Sequence, residues 1–315
     1  MKRLIEDLRA PEPIHQFLET NEEWVQTRAR QLGVAAKYVT TQALLHLPYY
    51  SPEAIVATTP DVLLDINMKV VSLGELYSNT YSRLHDDTEM SLVTSEAKLK
   101  GRNLLTLHEE ASVIPVRFDT VPDYLADEVN NRLHYIHSSR DDSVANYGLF
   151  IDNAETPYAS VSFSRCKRGY QVDALNKTTH LNLEPEQVSS MTRAFTFNNA
   201  PKNSMSKLFH QSHYQIKQDF PDIRAIITAL NPYTGFNGGI FTGASYTPYA
   251  LSPMEYWYDA NGYYVPRSKG INPQNTETPP IIWLARGIDI IAAKAIENLA
   301  IDKIGHITQD EYQKG

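Results

Sequence analysis

Apolar residues in the first 110 positions recur at helical spacing. Glu22–Leu32 carries one apolar stripe, which Gly33 breaks, and Ala35–Leu47 carries a second, which Pro48 ends. Ser51-Pro52-Glu53-Ala54 reads as a helix start, with serine as the cap, then proline and an acid in the first turn. Thr59-Pro60-Asp61 repeats that logic, and Leu73–Leu84 and Met90–Leu99 predict further helices. The rhythm changes near residue 112. Ser112–Phe118 reads as a strand, and Val121–Ile136 as a helix with Asp123, Asp127 and Glu128 near its positive end. Strands then dominate: Asn146–Asp152, Pro157–Arg165 and Val188–Phe197. A helix follows over Asn203–Phe220, and Arg224–Leu230 is a short apolar strand suited to a sheet interior. Asn231–Gly239 is rich in turn residues, and Ile240–Tyr246 predicts a short helix. Tyr249–Asp259 and Tyr263–Arg267 predict a hairpin around Asn261-Gly262, and Pro279–Ile301 a final amphipathic helix. The pattern divides the chain into a helical domain over 1–110, a strand-rich domain over 111–275, and a C-terminal helix within 276–315 packed on the rest. The fold class is α+β.

Composition narrows the classes of function. With 315 residues, 42% of them hydrophobic and 21% charged, the chain can bury a sizeable core. No apolar run reaches the roughly 20 residues of a membrane helix. The best candidate, Ile281–Ala293, is interrupted by Arg286 and Asp289. The first residues turn acidic too soon for a secretory signal. The single cysteine, Cys166, can make no internal disulfide and excludes a Cys-rich zinc site. These features predict a cytoplasmic protein with no membrane partner. Residues 1–110 carry 11 basic and 16 acidic side chains, and no segment is a basic block. Strong non-specific nucleic-acid binding is therefore not expected, although Arg165, Lys167, Arg168, Lys202 and Lys207 could form a local patch.

Three stretches carry a resemblance. The first is Asn131-Arg-Leu-His-Tyr-Ile-His137, followed by Asn146-Tyr-Gly-Leu-Phe150. The second is Thr192-Arg-Ala-Phe-Thr-Phe197, followed by Pro201-Lys-Asn-Ser-Met-Ser206. The third runs from Asn231 through the glycines Gly235, Gly238, Gly239 and Gly243 to Tyr246, with Tyr264-Val-Pro-Arg-Ser268 after it. Together they resemble the branch of the GNAT acyltransferase superfamily that contains the phage Mom-type DNA adenine-modification proteins. The resemblance covers residues 112–270. It implies a GNAT-like mixed, mostly antiparallel sheet with flanking helices, following the N-terminal helical domain. It also implies an acyltransferase drawing on acetyl-CoA or another acyl-CoA. Four departures stand out. Asn231 replaces an aspartate of the adenine-modifying proteins, and Gly235-Phe236 replaces Gly-His, so DNA modification is not carried over. The superfamily's glycine-bearing pyrophosphate loop is matched here by the glycine-free Asn199–Ser206. Its thiolate-protonating tyrosine falls near Phe241, which cannot donate a proton.

Acyl transfer to an amine requires a held donor, a deprotonated amine and hydrogen-bond donors for the oxyanion. Lys202, Asn203, Ser204, Ser206 and Lys207 surround an expected helix start, where free amides and the helix dipole suit an anionic carrier. Phe195 and Phe197 end the strand that leads into it. Asn203 or Ser204 would equally serve as a plain cap. His134, Tyr135 and His137 offer acid–base groups where the first helix ends, and His134 is the candidate base. His137 at a helix end and Tyr135 in the core are the structural alternatives. Arg193, inside an apolar strand, is an ion-paired residue or an oxyanion contact if it faces inward, and a plain surface residue if it faces outward or the strand is an edge. Asn231 can hydrogen-bond an acceptor or shape the turn with Pro232. His210 and His213 have metal-compatible spacing but no third ligand nearby, so no metal is expected and packing or surface roles are favoured. Basic neighbours could lower the pKa of Cys166, but without His–Asp support it reads as a non-nucleophile. Residues 29–39 have helix-turn-helix spacing that would present Lys37, Tyr38, Thr40, Thr41 and Gln42, although that domain is net acidic.

The expected function is an acyltransferase moving an acyl group to an amine of an unidentified acceptor. The alternatives are a transferase using aminoacyl-tRNA, motivated by the glycine-free loop, and an inactive GNAT-like scaffold that binds nucleic acid (DNA or tRNA) or protein.

Overall fold

The computed structural model describes residues 16, 19–32, 36–46, 116–134, 136, 138–151, 157–166, 168–196, 200, 203–234, 236, 238–260, 264–265, 267, 270–274, 280–308 and 310–311. The helices expected at Ser51, Thr59, Leu73–Leu84 and Met90–Leu99 lie outside these residues.

Two helices open the described chain, α1 (Glu22–Leu32) and α2 (Ala36–His46). The rest builds one large sheet from β1 (Val116–Thr120), β2 (Ser143–Ile151), β3 (Ala159–Arg165), β4 (Val188–Thr196), β5 (Ala225–Leu230), β6 (Thr247–Ser252), β10 (Ile281–Gly287) and β11 (Gly305–His306). A small sheet holds β7 (Tyr256–Tyr258), β8 (Tyr264–Val265) and β9 (Asn272–Gln274). The large sheet runs in the order β1-β2-β3-β4-β5-β10-β6-β11. Its pairs are antiparallel except β4 with β5 and β6 with β11. This is the GNAT-like mixed sheet expected from the resemblance.

Helices α3 (Asp123–Glu128), α4 (Gly169–Thr179), α5 (Ser204–Asp219), α6 (Gly239–Gly243) and α7 (Ile290–Glu297) flank the sheet, and α3 widens into a π-turn over Val129–Leu133. Each sheet face buries its own core. Leu208, Phe209 and Ile216 of α5 close over Phe163, Ile226 and Leu284. Val172 and Leu175 of α4, with Ile296 of α7, cover Ile227, Trp283 and Ala285 on the other side. Alternate residues of β5 thus serve opposite cores, as the period of two along a strand requires. Leu208 and Leu284 are fully buried, and each such side chain contributes about 1.5–3 kcal/mol.

Three expectations need correction. The single helix read over Pro279–Ile301 is a strand, β10, followed by the shorter α7. Ile281–Ala285 are all buried because β10 lies between β5 and β6 with helices on both faces. An unbroken apolar run of this kind has no period to separate strand from helix. The C-terminal segment is therefore part of the large sheet rather than a helix packed on it. Gly287 makes the return to α7: a Cβ there would stand 2.0 Å from the Ala293 nitrogen. Asp289 then caps α7 by accepting the Ala292 N–H at 2.7 Å. The second correction concerns the hairpin. Tyr256–Tyr258 does pair with Tyr264–Val265, but Thr247–Ser252 joins the large sheet against β10. Asn261-Gly262 lies outside the described residues. The third is α4, which the sequence reading passed over. Its buried positions Gln171, Val172, Leu175 and Thr179 include two polar side chains, so its apolar stripe is thin.

Helix α2 docks on the sheet domain. Thr41 donates its hydroxyl to the Thr234 carbonyl at 3.2 Å, and the Tyr258 hydroxyl donates to the Leu45 carbonyl at 2.8 Å. Thr41 is buried in this contact, so it cannot also read a base edge as the helix-turn-helix spacing would require.

Candidate functional site

Strands β4 and β5 pair only at Val188↔Ala225, Ser189↔Ile226 and Ser190↔Ile227. Beyond Ser190 they part, and β4 loses its ladder partner on that side. At the same point β4 bulges against β3: Met191 faces Phe163 and Arg193 faces Ser162, which leaves Thr192 as the extra residue. The Thr228 hydroxyl takes up the Met191 carbonyl at 2.8 Å. A cavity of about 210 Å3 fills the parting on the α5 face. His134, Thr192, Arg193, Met205, Asn231 and Phe241 are among the residues lining it.

The cavity gathers three of the four residues expected to be catalytic; the fourth, Tyr135, lies outside the described residues. His134 is buried at the end of the π-turn. Its Nδ1 accepts the Ile136 N–H at 3.2 Å, so the neutral ring carries its proton on Nε2. The ring is thus arranged to donate a hydrogen bond, whereas a base would need the nitrogen already engaged. Arg193 donates from Nε to the Ser138 carbonyl and from an Nη to the Thr192 carbonyl, both at 2.8 Å. Its guanidinium is thereby fixed against the bulge. Asn231 donates to the Tyr256 hydroxyl at 2.7 Å and accepts the Tyr233 N–H at 3.1 Å. Those bonds shape the turn after β5, while the residue still forms part of the cavity wall.

The start of α5 stands at the end of β4. Asn203 occupies the N-cap position with φ 67°, a left-handed conformation that asparagine tolerates. Its side chain makes no cap hydrogen bond, and the first turn carries no acid. Ser204 is buried, and so is Lys207, whose Nζ has no hydrogen-bond partner. Burial lowers the Lys207 pKa, because a desolvated ammonium without an anion is disfavoured. Ser206 is half-buried in the same turn, and Phe195 packs on the α5-side core. Phe197 and Lys202 lie outside the described residues.

Sequence reasoning missed a polar pair behind the cavity wall. His213 of α5 and the Tyr246 hydroxyl share a hydrogen bond of 2.8 Å between Phe209 and Phe241. The Gly243–Tyr246 stretch had been singled out, but nothing in the spacing linked it to His213. Burial, with Arg286 and His210 adding to it, pushes His213 down to about 3. Between that value and the ordinary 6.5, only the unfolded chain binds the proton, so stability falls as pH drops through this window. Urea unfolding at pH 7 and pH 4 should show a loss near 1.4 kcal/mol per pH unit from this residue. His213→Gln should flatten that slope; an equal slope in the variant would contradict the buried neutral ring.

Cys166 does not behave as its basic neighbours suggest. Burial outweighs them and pushes its thiol up to about 11. Among the described residues, no group of three or more His, Cys, Asp or Glu side chains is placed to hold a metal, and no helix is long and apolar enough to cross a membrane.

A mostly antiparallel sheet whose central parallel pair opens around a cavity has GNAT-like architecture. Residues 115–299, more than half of the chain, match the model of the Mom protein family, and the chain belongs to that family. Similar solved structures include an N-acetyltransferase from Staphylococcus aureus Mu50, at 12% identity and TM-score 0.34, covering 55% of this chain and 98% of that one. An aminoglycoside N(6')acetyltransferase from Legionella pneumophila subsp. pneumophila str. Philadelphia 1 aligns at 11% identity and TM-score 0.30, covering 57% of this chain and 95% of that one. No curated protein matches the chain.

Proposed function

We propose that this protein is a GNAT-type N-acyltransferase that passes an acyl group, acetyl from acetyl-CoA, directly to an amine. The observation that carries the reading is the start of α5: a 16-residue helix with no side-chain cap, no acid in its first turn, and a buried, unpartnered ammonium. An anionic carrier supplies what each of these lacks. Asn203, Ser204, Ser206 and Lys207 would hold its phosphates, and the acyl thioester would extend along β4 into the parting.

As the amine nitrogen attacks the thioester carbonyl, the C–N bond forms, the C–S bond breaks, and the proton that the amine loses passes to the departing sulfur, so that an amide and a free thiol result. The negative charge developing on the carbonyl oxygen would be met by the Arg193 guanidinium and the Nε2–H of His134, which both line the cavity. Besides His134 and Arg193, whose guanidinium stays protonated, the described residues of the cavity present no basic side chain. The site therefore suits an amine that is already neutral when it arrives.

The test is release of free thiol from acetyl-CoA in cell extract. Purified protein should accelerate it well above the uncatalysed rate and leave an acetylated product detectable by mass spectrometry. Absence of both across the extract's small-molecule, nucleic-acid and protein fractions would contradict the reading.

A further inference from the structure

A second hollow, of about 190 Å3, has no part in the transfer described above. It shares Met191, Thr192, Arg193, Thr228 and Ala229 with the first cavity but is also walled by Gln171 and Trp283, which belong to the α4 side of the sheet. The two hollows thus approach the same parting of β4 and β5 from opposite faces. Ala229 pairs with Trp283 in the middle of the sheet and is nevertheless exposed, so this face is open at that point.

The walls are strongly cationic. Arg140, Arg165, Arg168 and Arg193 line the hollow, and no aspartate or glutamate is among its lining residues. Arg140 is oriented by two hydrogen bonds of 2.8 Å to Asp142. Arg193 is held by the carbonyls already described. Arg168 rests on the Tyr170 hydroxyl at 3.1 Å, a neutral partner, and Arg165 stands exposed at the end of β3. Helix α4 begins at the same place. Arg168 is its N-cap residue, no side chain caps it, and its first turn carries no acid. The helix dipole adds to the positive potential of the guanidiniums. Asp142 neutralises Arg140 in an ion pair, which leaves Arg165, Arg168 and Arg193 as like charges around an open hollow, an arrangement that is unfavourable unless an anion joins them. Planar guanidinium forks converging from several sides match a tetrahedral oxyanion with acceptors in every direction.

We propose that this hollow is a phosphate-binding subsite that seats the acceptor, whose amine then reaches through the parting to the acyl group on the other face. The phosphate site stands on its own residues; calling its ligand the acceptor rests on the acyl-transfer reading. Arg165 and Arg168 hold the phosphate, while Arg193, at the shared wall, lies between it and the reacting carbonyl.

Trp283 in the wall gives a direct readout. Inorganic phosphate is titrated at constant ionic strength while tryptophan fluorescence is followed, using Asn203→Asp protein so that a carboxylate occupies the start of α5. A saturable change is expected, absent from a Trp283→Phe control and shifted to at least 10-fold higher phosphate in an Arg165→Ala/Arg168→Ala double variant. Arg165 is exposed and Arg168 half-buried, and thermal melting checks that the double variant is folded. An unsaturable response, an unchanged midpoint in the double variant, or an equal response to acetate would overturn the subsite. Failure of acetyl-CoA to bind wild-type protein would instead remove the acyl-transfer reading and leave the phosphate site standing.

Discussion

Ser204→Asp is expected to abolish acetyl-CoA binding while leaving the protein folded. The new carboxylate would lie in the first turn of α5, where it interacts favourably with the helix dipole and occupies the place of the incoming phosphate. Lys207 is four residues from the N-cap and lacks a partner, so the substituted carboxylate would also draw on its charge. Charge-assisted hydrogen bonds contribute about 1.5–3 kcal/mol each. Losing two of them corresponds to at least about 100-fold in affinity. Calorimetry should therefore show no measurable heat at concentrations that saturate the wild type; Ser204 is buried against Tyr158, so melting is expected to fall, and far-UV circular dichroism checks that the variant is folded. The isosteric Asn203→Asp places the same charge at the cap and should weaken binding in the same direction. Wild-type affinity in both variants would mean that the carrier's phosphates lie elsewhere.

The second large effect falls on His134. Its Nδ1 is engaged by the Ile136 amide, so Nε2 is the donor of the neutral ring. Removing one oxyanion donor typically costs about 100- to 1000-fold in kcat. His134→Ala should lower kcat by that order with hydroxylamine as a small acceptor, leave KM for acetyl-CoA little changed, and preserve the shape of the pH–rate profile. A general base would behave differently, because its loss flattens the profile near neutrality. A flattened profile would return His134 to the role its sequence position first suggested.

Much of the sheet domain was legible because its elements carry their own local signals. Val188–Phe197 and Arg224–Leu230 read as strands from apolar content, and Asn203–Phe220 as a helix from its spacing. β10 was illegible as a strand because burial on both faces erases alternation. Helix α4 was illegible because Gln171 and Thr179 occupy positions where apolar residues would have marked the stripe. The site divides in the same way. His134 and Arg193 could be nominated from the motifs around them, and the structure places both on one cavity. That Arg193 sits beside a bulge, and that Thr228 of the neighbouring strand satisfies the Met191 carbonyl, depends on register between strands, which no local pattern encodes. His213 and Tyr246 are 33 residues apart and meet only through packing. The arginine hollow lay half in view: Arg165 and Arg168 stood out as a basic patch, but Arg140 and Arg193 join them only when the sheet assembles.

The central claim is that a phosphorylated acyl carrier is held by its phosphates at the start of α5. It is tested most directly by comparing two donors in one calorimetric titration. Acetyl-CoA should bind with one-to-one stoichiometry, and S-acetylpantetheine, which has the same thioester arm but no phosphate, should bind at least about 100-fold more weakly. Equal affinities for the two, or no binding of acetyl-CoA to the wild-type protein, would contradict it.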